Sequence, residues 1–189
     1  MKPSNSRLLN WVVGTVGSLL LGACTYAPPV PAVSIANHVY LPGTDSIGIA
    51  VYAAEVQRPT GIAAFPDGGS ARIGHERAIF YLCVAPPGAS TPVVRRIAVV
   101  SRPDSLHSGF TPWLSAWDGP DRLLASLRGY VGNETRPSDH RKIWIAVDLT
   151  GRVQPIDSPA MAGSTATSLP SWCETAALSD ARTTLHGSP

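Results

Sequence analysis

The sequence predicts a mainly β protein, a small antiparallel β-sandwich or a curved antiparallel sheet, with one short helix packed against it. Three observations carry this expectation. Apolar residues recur with period two in several short stretches, the pattern of strands. Pro (18) and Gly (17) are abundant in the 189 residues while charged residues make up only 15%, which favours short elements joined by turns over a helix bundle. Turn signals also punctuate the apolar runs. No internal repeat of solenoid or propeller period is visible, and the length suits one folded domain with a modest core.

The elements follow in chain order. Residues 24–42 read as a tether, because Pro28, Pro29, Pro31 and Pro42 sustain neither a helix nor a central strand; a strand that starts early falls at 33–40. The folded domain is placed at 43–178. Residues 46–56 alternate Ile47, Ile49 and Val51 with Ser46, Gly48 and Ala50, a half-buried strand. Pro66-Asp67-Gly68-Gly69 is a turn. Residues 78–85 are the most apolar run after the leader and predict a central strand, with Ile79, Tyr81 and Cys83 on one face and Phe80, Leu82 and Val84 on the other; residues 92–102 look like its partner. Gly119-Pro120-Asp121 opens a segment with Leu123, Leu124, Leu127 and Tyr130 at helical spacing, and predicts the one short helix. Residues 142–156 form the clearest hairpin, turning at Leu149-Thr150-Gly151, with Pro155 placing the return strand at an edge. Residues 160–170 read as a loop and 179–189 as a flexible tail.

The N-terminus carries an address. Lys2 and Arg7 precede an apolar run at 8–20, of secretory-signal length and short for a membrane span, which closes on Leu21-Gly22-Ala23-Cys24. This resembles a bacterial lipobox. The resemblance implies removal of residues 1–23, lipidation of Cys24 and membrane attachment through acyl chains, each buried methylene contributing about 0.8 kcal/mol. Thr25, where inner-membrane retention typically uses Asp, implies the periplasmic face of the outer membrane, with the inner membrane as the alternative. The removed segment holds two basic residues and no acid, so the full chain's net charge of +2 falls to zero. A neutral chain without a basic cluster does not suit nucleic acid. With Cys24 consumed by lipid, Cys83 and Cys173 remain as an even pair in an oxidising compartment, and a disulfide between them is expected. A metal or redox pair lacks both CxxC spacing and a neighbouring His.

Tests for chemistry come back empty. There is no GxSxG elbow, no SxxK, no GxGxxG after a strand, and the five histidines (38, 75, 107, 140 and 186) never form a ligand motif. His107 and the Asp139-His140 pair are better read as solvated loops than as catalytic bases, and Asp118 and Asp121 as helix caps. No catalytic residue, metal or cofactor is expected. One constellation has weight: Phe110, Trp113 and Trp117 in a Pro/Gly-bounded stretch. Exposed, these rings would be a sugar-stacking surface or an interface hot spot; buried, which is favoured, they seat a long connection on the sheet. Arg95, Arg96 and Arg102 could form a modest basic rim.

The layout, a lipobox followed by a β domain with an apolar cysteine-bearing strand at 79–84, is similar to that of type VI secretion immunity lipoproteins. It implies a non-enzymatic, membrane-anchored protein-binding module of immunity or inhibitor type. An envelope or secretion-system scaffold is the alternative, and an envelope hydrolase ranks below both.

Overall fold

The structure is a computed structural model, and it describes residues 29–58, 72–85, 92–103, 105–106, 108–132, 136–159 and 168–186. The Leu21–Cys24 box, the 66–69 turn, His107 and residues 160–167 lie outside these.

Among the described residues eight strands form two four-stranded antiparallel sheets, each a simple meander. The first contains β1 (Val30–Tyr40), β2 (Ser46–Gln57), β3 (Arg72–Val84) and β4 (Val93–Ser101), in that order. The second contains β5 (Ser108–Asp118), β6 (Arg122–Tyr130), β7 (His140–Asp148) and β8 (Val153–Pro155). One helix, α1 (Ser171–His186), ends the described chain. The fold is thus mainly β and consistent with a small sandwich.

Alternation along the central strands builds two cores. On β2 and β3, Ala50, Ala78 and Phe80 face the second sheet, where they meet Phe110, Leu114, Leu123, Leu127, Ile145 and Val147. Ile47, Ile49, Val51, Ile79 and Tyr81 face the other way, onto Ala177 and Ala181 of α1. Residues 46–56, expected to be half-buried, are therefore covered on both faces, because the helix supplies a third layer. Gly48 is required by close approach: a Cβ there would lie 2.5 Å from Leu123 Cδ2.

Two devices hold the sheets in register. A bulge between Ile35 and Asn37 turns the Asn37 amide toward β5, where it donates to Leu114 O (2.6 Å) and accepts from Leu114 N (2.8 Å). At the crossover from β4 to β5, buried Glu76 accepts from Arg102 (2.9 Å) and from the Tyr52 hydroxyl (3.2 Å). The β7–β8 turn is closed by Asp148 Oδ1, which accepts from Thr150 N, Thr150 Oγ1 and Arg152 N. These hydrogen bonds hold the Asp148 carboxyl below its usual range.

The tether expected at 24–42 is shortened, because β1 begins at Val30; its Pro31 is tolerated in an edge strand, where an N–H can be spared. The helix expected after Gly119 is instead strand β6: Leu123, Ala125 and Leu127 alternate inward, and the strand lies between β5 and β7. Its leucines satisfy either period, and pairing on both sides decides for the strand. Asp118 and Asp121 bound the hairpin turn, with Asp118 paired to Arg122 and Gly119 at φ 71°, so they cap no helix. The stretch around Trp113, expected as a connection, is β5. The tail expected to be flexible from 179 is helical to His186.

The C-terminal helix is fastened as well as packed. Cys83 and Cys173 form a disulfide with Cα atoms 6.0 Å apart, joining the C-terminal end of β3 to the first turn of α1. Further along, Tyr81 donates to Asp180 (2.9 Å), Arg96 pairs with Asp180 (3.4 Å) and Arg77 donates to Thr184 O (3.2 Å).

Candidate functional site: the outward face of the second sheet

The helix covers the first sheet only, so among the described residues the second sheet carries no helix on its outward face. Strand parity fixes what stands there. On β6 the residues between the inward Leu123, Ala125 and Leu127 are Leu124, Ser126 and Arg128, and on β7 Lys142, Trp144 and Ala146 alternate with Ile143, Ile145 and Val147.

Register then assembles two neighbouring rows. Trp113 on β5 faces Ser126 on β6, which faces Trp144 on β7. One step along, Thr111 faces Arg128, which faces Lys142. The rows lie about 7 Å apart, two residues of strand. Trp113 is 43% exposed, whereas Ser126 between the two indoles is fully buried and its hydroxyl has no hydrogen-bond partner. Lys142 lays its ammonium 3.7 Å from the centre of the Trp144 ring, a cation–π contact. Tyr130 and His140, paired across β6 and β7, stack edge to face at 4.4 Å and close the end of the face.

Together Trp113, Arg128, Tyr130, His140, Arg141 and Lys142, with Thr111 and Gly129, line a groove of about 480 Å³ that opens to solvent. Among the described residues no carboxylate lines it. Arg128 and Lys142 sit directly opposite each other, an arrangement that costs stability for like charges. Partial burial and the neighbouring Arg128 charge both push the Lys142 ammonium below the ordinary lysine range. The groove thus holds concentrated positive potential beside exposed indole.

The three rings expected to act together do not. Phe110 is buried between the sheets, and Trp117 packs against the same core, its indole N–H donating to Val39 O (3.4 Å). Trp113 alone of the three points outward, in the row that Ser126 and Trp144 continue and beside the cation row. The arginines expected to form a rim are separated: Arg95 donates to Leu149 O (2.9 Å), Arg96 holds α1, and Arg102 pairs with Glu76. Arg128, Lys142 and Trp144 were missed because reading β6 as a helix hid the parity of its even positions. Trp144 was legible as the outward residue of the 142–156 hairpin, and pairing it with the neighbouring strand would have exposed the row.

Among the described residues no group of three or more His, Cys, Asp or Glu could hold a metal ion, and no helix is long and apolar enough to cross a membrane. No known protein family, curated protein or solved structure matches the chain.

Proposed function

We propose that this chain is a lipid-anchored, non-enzymatic binding protein of the bacterial envelope, of immunity or inhibitor type, which engages a protein partner through the outward face of its second sheet. One observation supports it above the others: Trp113 stands exposed beside the Arg128–Lys142 row at one end of the second sheet's outward face. Aromatic side chains and arginine are the residues that dominate interface energetics, and here they sit together on a rigid three-strand surface. The anchor is Cys24, acylated after removal of residues 1–23, at the periplasmic face of the outer membrane.

Site-directed photocrosslinking in living cells tests this reading. A photoreactive residue replaces Gln154, on the outward side of β8, or Val99, exposed on β4 of the other sheet. The reading expects one discrete protein adduct from position 154 and none from 99. Equal labelling at both positions, or none at 154, would overturn it. Fatty acylation of Cys24, read from the intact mass of the purified protein, tests the anchor independently.

A further inference from the structure

We propose that the groove beside Trp113 is a carboxylate-recognition site, built to receive an acidic surface segment of the protein partner whose Asp or Glu side chains enter between Arg128 and Lys142 while an adjoining ring lies on Trp113. This rests on the reading of the outward face as the binding surface and adds the chemistry of what binds there.

Arg128 and Lys142 are direct cross-strand neighbours, with Arg141 in the adjacent pair, and no acid among the described residues answers them in the groove. Elsewhere the chain does neutralise such groups: Arg96 has Asp180, Arg102 has Glu76 and Arg122 has Asp118. A like-charge pair left directly opposed is a stability cost that an incoming anion removes. The lowered proton affinity of Lys142 comes first from partial burial and second from the Arg128 charge.

Arg and Lys offer donors only, and Trp an N–H donor only. Among the described residues no Asp, Glu, Asn or Gln lines the groove, and only Thr111, Tyr130 and His140 bring side-chain acceptors to it. A donor-rich wall matches an acceptor-only group, and an ionised carboxylate is one. The groove, of about 480 Å³, lies open on the sheet face, and the indole row runs beside the cation row at about 7 Å. That spacing suits alternate side chains, i and i+2, of an extended peptide segment, one ionised and one cyclic. The buried hydroxyl of Ser126, unpartnered between the two indoles, adds a polar group to the floor of the same face.

The test uses the full-length, isotope-labelled chain in detergent micelles, titrated at low salt with an acetylated Glu-Glu-Tyr-Glu-Glu peptide. The expected result is saturable movement of the Trp113 and Trp144 indole N–H resonances, weakened at least tenfold by Arg128→Gln or Lys142→Gln, with no response to the Lys-Lys-Tyr-Lys-Lys counterpart. Both substituted residues are exposed; Arg128→Gln relieves the repulsion and folds with an unchanged or raised Tm, whereas Lys142→Gln also gives up the contact to Trp144 and folds with a Tm at most slightly lowered. Three outcomes overturn the proposal: equal affinity of the Arg128→Gln variant, no saturable response to the acidic peptide, or a response to inorganic phosphate or oligogalacturonate in its place. If crosslinking from position 154 still traps a protein when the acidic peptide fails, the surface stands and only its carboxylate chemistry falls. If crosslinking fails while the peptide binds, the anion site stands without the protein partner.

Discussion

At the scale of single residues, stability depends on side chains that bridge the two sheets. Asn37 satisfies both backbone groups of Leu114 at an otherwise open strand edge. Asn37→Leu leaves that N–H and carbonyl unpaired in a half-buried corner, and a loss of about 1–3 kcal/mol is expected in urea unfolding. Gly48 works by absence: a Cβ would meet Leu123 Cδ2 at 2.5 Å and Trp117 at 3.4 Å. Gly48→Val should cost about 1–3 kcal/mol through overpacking, and Leu123→Ala in the same chain should restore part of it. Tyr52 sets a pH limit. Burial and the neighbouring Glu76 push its phenol up to about 12 from 10.0. The neutral phenol is the form the native state favours, so its contribution is complete below pH 10 and is lost as pH rises toward about 12. Urea midpoints measured across that window should fall, and Tyr52→Phe should flatten the decline.

At the scale of elements, the sequence reveals strands where alternation has one solution and misleads where it has two. The hairpin of β7 and β8 is legible because Ile143, Ile145 and Val147 alternate without exception and Pro155 marks an edge. The β2 and β3 strands are legible for the same reason. In contrast, Leu123, Leu124 and Leu127 fit a helix face as well as a strand, and only the flanking strands β5 and β7 resolve the choice. Helix α1 was hidden for the opposite reason. Its buried face is made of the small Ala177 and Ala181, with Cys173, so it lacks a strong apolar stripe. What holds it is long-range: the link to Cys83 and the Tyr81 and Arg96 contacts to Asp180. The Cys83–Cys173 bridge closes a loop with sequence separation 90. The chain-entropy view gives an upper bound of roughly 4–5 kcal/mol for such a loop. Replacing both cysteines by alanine should therefore lower stability by up to that amount. Hydrogen exchange should then rise first in residues 171–186, before the strands of the second sheet.

At the scale of the whole molecule, the sandwich is asymmetric. The central strands β2 and β3 of the first sheet are buried between helix and sheet, and its edges are held by Asn37 on one side and by Arg95 reaching Leu149 on the other. The second sheet turns its inner face to the core and its outer face, with Trp113 and the Arg128–Lys142 row, away from it. The candidate site was therefore only half legible in the sequence. Trp113 was singled out by its residue type, while its partners are set by the register of three strands, which no local pattern encodes. The same asymmetry separates stability from recognition: residues of the outward rows can change with little effect on either core. Trp113→Ala tests that separation most directly, by measuring the variant's Tm together with its affinity for the protein trapped from position 154. The account predicts a Tm close to that of the unaltered chain and a loss of affinity of at least tenfold. Undiminished affinity, or a loss that only follows from unfolding, would contradict it.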